Sequence, residues 1–365
     1  MGGPKRQHFI PRSYLRNFAK VEGDKHFVEV MFKDSGKIRY PMNTKEICVS
    51  KNLYTLPHTD SDDKYALEKY YAEHVDSVYP EVYRLLTDTS ITRITEEQRT
   101  KILSTCLSLY FRTPRFLDAD NEELDRIIER MKTFGAPPTA ELFFTFKGRN
   151  FRFKRDQIDE VYAQAKELNK VDFIVNHLEQ WRAFTDNKEK AGFMVIKVGE
   201  EVPIITSDNP VDIYGPSWVP FNVFNPLNVI HVPLDRRHYL WISPENNEGD
   251  PLQIVRSPRD KLYALTLNST TVQNAMDWLI GEEGTLSVHR DELTRHNEPT
   301  PENEALFADA KLVALKMHEL MQFIEANGPG SEASRRKFEE YRQIPALLKD
   351  PGFQHLAALA DELYK

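Results

Sequence analysis

The spacing of apolar residues along this chain switches between the two-residue repeat of a strand and the 3.6-residue repeat of a helix, and the switches limit the fold class. Residues 27–32 (Phe-Val-Glu-Val-Met-Phe) are strand-like, and the turn Asp34-Ser35-Gly36 leads into residues 37–40, so a hairpin is expected. From Tyr65 the period changes: Leu67, Tyr70, Tyr71, His74, Val75, Val78 and Val82 recur at helical spacing to about Leu86, with Pro80 placed to break the run. Thr95-Glu96-Glu97-Gln98 is a capping box, in which the Thr hydroxyl and the Gln side chain satisfy amides that a helix start leaves open. It opens an apolar helix through Ile102, Cys106 and Tyr110 that Pro114 ends or bends. Residues 121–132 read as an amphipathic helix, Gly135-Ala136-Pro137-Pro138 as a break, and residues 155–184 as one long helix or two abutting ones.

Short apolar runs then return at 192–198, 202–206, 229–232 and 238–242, which together predict a small, mostly antiparallel sheet. Residues 266–279 have the pattern of a helix leading to Gly281, and 302–326 that of another. Gly328-Pro329-Gly330-Ser331 is linker-like, and the tail 332–365 is helical with breaks at Pro345 and Pro351-Gly352. Its Ile344, Leu347, Leu348, Leu356, Leu359 and Leu363 either cover this chain's own core or offer a surface to a protein partner. The predicted class is α+β: a predominantly helical body packed on the small sheet, divided into a domain at 1–281 and a helical C-terminal extension at 282–365.

Composition excludes several functions. Of 365 residues 40% are hydrophobic, enough to fill a sizeable core. The only cysteines, Cys48 and Cys106, lack a CxxC partner, so neither a disulfide framework nor a cysteine-based zinc site is supported and both read as buried thiols. No apolar run approaches the roughly 20 residues that span a bilayer, and residues 1–6 lack the apolar core of an export signal, so a cytoplasmic protein without a membrane partner is expected. Lys and Arg number 48 against 56 Asp and Glu, a formal charge of −8, so any nucleic-acid contact must be local. The local candidates are Lys5, Arg6, Arg12 and Arg16, and the segment 147–155. In that segment Lys147, Arg149, Arg152, Lys154 and Arg155 interleave with aromatics flanked by Phe146 and including Phe151 and Phe153. That alternation suits a strand that stacks bases and pairs phosphates, or a hairpin with one face solvated and the other in the core.

The most distinctive motif opens the chain: His8-Phe9-Ile10-Pro11-Arg12-Ser13-Tyr14-Leu15-Arg16-Asn17-Phe18. It resembles the start of domain of unknown function family 4238, a bacterial family whose members begin His-x-x-Pro-x-x-Tyr-Leu-Arg-x-Phe. Further elements follow in the same order: Asn52-Leu53-Tyr54-Thr55, Phe111-Arg112-Thr113-Pro114, Thr206-Ser207-Asp208-Asn209-Pro210, Val232-Pro233-Leu234, and Leu267-Asn268 with Asn274-Ala275. The resemblance spans residues 5–281 and implies no mechanism, but it singles out residues that carry chemistry.

His8 can move a proton near neutral pH, Arg112 can hold an anionic oxygen, and Asp208 with Asn209 sets a carboxylate beside an amide. Such a set suits a hydrolase, a nuclease first of all, in which Asp208 holds a divalent metal ion or activates water and Arg12, Tyr14 and Arg16 contact substrate. RNA, single-stranded nucleic acid or a nucleotide would then be the partner. The alternative is a non-enzymatic binding or regulatory protein in which the same residues are structural or hold a small ligand. Each residue has a structural reading: hydrogen bonds that fix the arm for His8, a helix-end cap for Arg112, a turn for Asp208-Asn209-Pro210, core for Tyr14. Under either reading the N-terminal arm is expected against the Ser-Asp-Asn-Pro turn. HExxH, P-loop, GxSxG, GxGxxG and EF-hand signatures are absent, as is a Pro-Asp…Glu-x-Lys nuclease core, and Arg290 with His296 gives only a chance Arg-x5-His spacing.

Overall fold

The opening motif folds as strand β1 (Arg6–His8), helix α1 (Arg12–Leu15) and a 3-10 turn ending at Phe18. Pro11 caps α1, a position where its missing N–H breaks no helical bond. Residues 6–56, 62–215, 222–243, 250–298 and 300–363 are described here, in a computed structural model of the chain. Lys5, Pro299 and the side chain of Leu359 lie outside them. Strands β2 (Lys20–Glu22), β3 (Lys25–Phe32) and β4 (Ile38–Asn43) form a meander that contains the expected hairpin. Gly36 closes it at φ +62°, a left-handed conformation that glycine adopts without strain. Strand β5 (Val49–Lys51) returns to pair antiparallel with β1, setting His8 opposite Val49.

The helical body follows. Helix α2 (Ala66–Tyr71) runs into a wider turn to Asp76, and α3 (Tyr79–Thr87) starts afresh with Pro80 in its first turn, so the chain breaks where the proline requires it. Helix α4 (Glu96–Phe111) opens on the Thr95 capping box: Gln98 N–H donates to Thr95 Oγ1 at 3.2 Å and Thr95 N–H to Gln98 Oε1 at 2.9 Å. Ile102, Leu103, Cys106, Leu107 and Leu109 are buried along it, and it packs on α3 and on the long helix α6 described next. Helix α5 (Arg115–Thr133) starts directly after Pro114 rather than at residue 121. Strands β6 (Glu141–Phe146) and β7 (Arg149–Lys154) form a separate hairpin, and α6 (Ile158–Asn187) is a single helix. Phe144, Phe146 and Phe153 of the hairpin pack with Leu124 and Ile128 of α5 and Ile158 of α6.

Strands β8 (Phe193–Val198), β9 (Thr206–Ser207), β10 (Asp212–Tyr214), β11 (Val229–Pro233), β12 (His238–Ile242) and β13 (Ile254–Arg259) precede α7 (Lys261–Asn274), β14 (Trp278–Gly281) and α8 (Thr285–Asn297). One five-stranded sheet has the order β10-β11-β12-β8-β13, antiparallel except for the β8–β13 pair. A second runs β2-β3-β14-β9 with β4 on the side of β3. The class is α+β, with small, mostly antiparallel sheets.

Three elements differ from the sequence expectation. Residues 202–205 form no strand, and β9 joins the N-terminal sheet rather than the middle one. The helix expected through 279 ends at Asn274, and Trp278–Gly281 is instead a strand between β3 and β9. Strand β13 was not expected from the sequence; its Pro258 is tolerated because β13 is an edge that pairs with β8 alone.

By contacts the chain divides into two units, Met1–Arg290 and Asp291–Lys365. The second contains α9 (Pro301–Asn327), α10 (Glu332–Tyr341), α11 (Pro345–Lys349) and α12 (Pro351–Leu363). Its core gathers Leu320, Phe338, Tyr341, Leu347 and Phe353, with Ile344 and Leu356 packed against it, while Leu348 and Leu363 stay exposed. Both cysteines are free and buried. Because the capping box satisfies amides at the start of the most buried helix, Thr95→Ala is expected to lower unfolding free energy by about 1 kcal/mol in urea titration, with the m-value unchanged.

Candidate functional site

The sequence boxes meet through hydrogen bonds, and the N-terminal arm supplies the centre. Gln7 on β1 is fully buried; its Nε2 donates to Thr55 Oγ1 at 3.0 Å and Glu68 Oε2 at 2.7 Å, and its Oε1 accepts Tyr54 N–H at 2.8 Å. The Tyr54 hydroxyl donates to the Arg112 carbonyl in a short bond. The Arg112 guanidinium, 2% exposed, donates to the His8 carbonyl at 3.1 Å, pairs with Asp76, and lies 4.2 Å over the Tyr71 ring. Burial opposes its charge, but Asp76 outweighs that and holds Arg112 firmly protonated. Tyr71 in turn is hydrogen-bonded to His177 Nε2. Further along the arm the buried Tyr14 hydroxyl lies 2.6 Å from Thr206 Oγ1, which places the arm against the Thr-Ser-Asp-Asn-Pro box as expected.

That box is pinned from its other side. The Asp208 carboxylate accepts the backbone N–H groups of Met276 (2.9 Å), Asp277 (2.8 Å) and Trp278 (3.1 Å). Asn209 and Asn274 exchange bonds: Asn209 Nδ2 donates to Asn274 O at 2.9 Å, and Asn274 Nδ2 to Asn209 O at 2.8 Å and Val211 O at 2.7 Å. Asn268 does the same one and a half turns earlier on α7, accepting Ile205 N–H and donating to the Pro203 carbonyl. These bonds explain why α7 stops at Asn274: the following amides are bound by Asp208 instead of by helical carbonyls.

Beside this scaffold lies a pocket of about 670 Å³. Phe9, Leu53 and Trp278 are large apolar residues of its lining; the carboxylates of Asp118, Glu122, Asp208 and Asp277 share it with the cations Lys51, Arg115 and Lys170. Burial raises Asp208 to about 6 against the pull of its three amides. Burial also raises Asp118, and the neighbouring carboxylates of Glu122 and Asp277 raise it further. Lys170 is lowered by burial. Among the described residues no hydrogen bond or ion pair reaches the side chains of Asp118, Glu122, Asp277 or Lys170. Helix α5 points its start at the same pocket, and Pro114 at its N-cap supplies no side-chain acceptor for the first amides.

Of the expected catalytic residues, only Asp208 lines the pocket. His8 Nε2 donates to the Thr44 carbonyl at 3.3 Å, and burial, aided by Arg12 and Arg112, lowers its pKa to about 4, so it is neutral at pH 7 rather than poised to transfer a proton. Arg112 is committed to Asp76 and to the His8 carbonyl, and Asn209 to Asn274. Tyr14 is core, Arg12 half-buried and Arg16 exposed, and none of the three lines the pocket. The residues around Asp208 do not fit a divalent metal ion: no group of three or more His, Cys, Asp or Glu side chains is arranged to hold one among the described residues, and its oxygens already bind amides.

The pocket residues missed in the sequence are Asp118, Glu122, Lys170, Asp277 and Trp278. Asp118 and Glu122 do repeat at the i, i+4 spacing that sets like charges side by side on a helix, an arrangement that disfavours the helix and so asks for a reason. The family described as "Protein of unknown function (DUF4238)" matches residues 6–285, and the chain belongs to that family. No curated protein and no solved structure matches it.

Removing the Asp208 carboxylate strands buried amides, so Asp208→Ala is expected to cost about 3 kcal/mol or more by urea unfolding, whereas a surface carboxylate such as Glu179→Ala should change stability by less than about 0.5 kcal/mol. Acid should destabilise the fold. His8, His231 and His289 titrate near 4 and His177 near 3, so between about pH 6.5 and 4 the unfolded chain takes up protons that the native chain refuses. Stability present above pH 6.5 is therefore lost as pH falls through that window. Asp208 runs the other way, since its native form gains a proton near pH 6, and burial raises Glu68, Asp118 and Asp212 in the same direction, but the four imidazoles are pushed furthest from their usual range and set the sign. The urea midpoint is expected to be lower at pH 5 than at pH 7.5.

Proposed function

We propose that this family member is a binding protein whose pocket takes a small zwitterion with an apolar body, the chemistry of a free amino acid or a peptide terminus. One observation carries the reading: acids and bases share a pocket without pairing with one another. Glu122 and Asp277 lie close enough to Asp118 to raise it, while Lys170 lines the same pocket unpaired. Unpaired like charges repel and are costly to keep together unless a counter-charge is supplied. A ligand ammonium would relieve the carboxylates. Its carboxylate would meet Lys170 and the uncapped start of α5, where helix amides favour an anion. Phe9, Leu53 and Trp278 would receive its apolar portion, and about 670 Å³ is within the range of small-molecule sites. In this reading the boxes serve as the frame of the site, and Asp208 fixes the segment that carries Asp277 and Trp278.

A second reading keeps the hydrolase. Asp208 lines the same pocket with a pKa of about 6, a value suited to acid–base work, and would act on a phosphodiester without a metal ion. It ranks second because the four carboxylates lining the pocket outnumber its three cations, Lys51, Arg115 and Lys170, and a bound phosphate would add to that excess.

Thermal-shift and calorimetric titration with apolar amino acids, the matching alkylamines and the matching fatty acids separates the readings. Zwitterions are expected to bind, and each single-charge analogue to bind about tenfold more weakly or worse. Asp277→Asn combined with Glu122→Gln should lose the preference for the ammonium, and Lys170→Gln the preference for the carboxylate. Equal response to all three ligand types, or an unchanged profile in the variants, would contradict the proposal. Cleavage of labelled RNA or single-stranded DNA in chelator, lost in folded Asp208→Asn, would instead establish the hydrolase.

A further inference from the structure

The β6–β7 hairpin has one face in the core and one in water. Phe144, Phe146 and Phe153 are buried, and Phe151 stacks on Phe144 with ring centroids 4.8 Å apart. The antiparallel register then puts Phe143 opposite Arg152 and Glu141 opposite Lys154 on the outward face. Phe143 is 75% exposed, more than any other large apolar side chain among the described residues. An aromatic ring held so far into water on a regular strand has no packing reason to be there, since its neighbours in the strand supply the core contacts.

The cations of this segment fall into two classes. Lys147 pairs with Asp120, Arg149 with Asp172, and Arg155 donates to the carbonyls of Ala136 and Lys132. Arg152 and Lys154 have no hydrogen-bonded or ion-paired side-chain partner among the described residues. Concavities of about 510 Å³ and 330 Å³ flank the strand; Phe143, Lys154 and Gln157 line the first, Asn150 and Gln164 the second, and Arg152 lines both.

We propose that this face binds single-stranded nucleic acid, with a base stacked on Phe143 and successive phosphates on Arg152 and Lys154. A base has the flat surface that an exposed ring lacks, and two unpaired cations on one strand match a backbone that repeats its charge. The side amides of Asn150, Gln157 and Gln164 stand in the same grooves with hydrogen bonds to offer. A chain of net charge −8 disfavours long duplex DNA, whose many phosphates the molecule as a whole repels. An acidic peptide would answer the cations but leave the ring uncovered. The inference does not rest on the amino-acid pocket and stands or falls separately.

The test is fluorescence anisotropy of labelled oligo(U), oligo(dT), a duplex of equal length and a poly-glutamate peptide with the full-length protein at 50 and 200 mM salt. The single strands are expected to bind most tightly. Phe143→Ala should weaken them about fivefold or more, the loss of one stacked base. Arg152→Gln with Lys154→Gln should flatten the slope of log affinity against log salt by about 1.4, the loss of two phosphate contacts on a single strand. The charge-matched control Arg182→Gln with Lys190→Gln should leave both unchanged. All changed side chains are exposed, and circular dichroism melts confirm folding. The proposal is overturned by no binding at 50 mM salt, by binding that Phe143→Ala leaves intact, by equal loss in the control, or by a preference for duplex or poly-glutamate.

Discussion

Arg112 is a guanidinium that has left water without losing its charge, and the arrangement of the first unit follows from what that requires. A buried cation must find a counter-charge and acceptors for its N–H groups, or it costs more than its fold can supply. Asp76 provides the charge, the His8 carbonyl an acceptor, and Tyr71 a ring face. Each partner comes from a different part of the chain. The arm bearing His8 must therefore lie across the end of α4, and the turn after α2 must bring Asp76 to the same point. The Arg112 carbonyl receives the Tyr54 hydroxyl, which fixes the segment after β5 there as well.

From this junction the order passes to the sheet through Tyr14 and Thr206, and from the sheet to α7 through Asp208, Asn209, Asn268 and Asn274. Short polar side chains do this because they bind backbone amides and carbonyls at sites where regular pairing stops. Asn274 and Asp208 together turn a helix into strand β14 within a few residues, and β14 then completes the sheet between β3 and β9. The pocket forms where the arm, the start of α5 and this helix-to-strand turn converge. Its shape is thus a product of the motif residues, although most of its chemical groups are not motif residues.

The legible parts of the sequence were those governed by local rules. The β3–β4 hairpin follows from alternation and Gly36, the start of α4 from Thr95 and Gln98, and the break before α3 from Pro80. What escaped was set by distant partners. Residues 275–279 continue a helical pattern, but Asp208, some seventy positions earlier, claims the amides that would continue the helix. Strand β13 carries Pro258, which is compatible with a strand only at the edge position that the sheet order gives it. The motif boxes do touch one another through hydrogen bonds, yet a list of residue types does not distinguish groups that meet to hold one another from groups that meet to act on a ligand. Burial makes that distinction: His8, Arg112 and Asn209 are each held by hydrogen bonds inside the protein. Asp118, Glu122 and Lys170 have not, and their spacing across α5 and α6 carries no motif.

The claim on which the rest depends is that these boxes form one cooperative scaffold, and native-state hydrogen exchange of the Met276, Asp277 and Trp278 amides tests it most directly. If the Asp208 bonds belong to the scaffold, these amides exchange only through global unfolding, with a protection free energy equal to the stability measured by urea, and Tyr14→Phe lowers both by the same amount. Exchange through a local opening several kcal/mol below global stability, unaffected by Tyr14→Phe, would show that the boxes are separate pieces and would contradict the account.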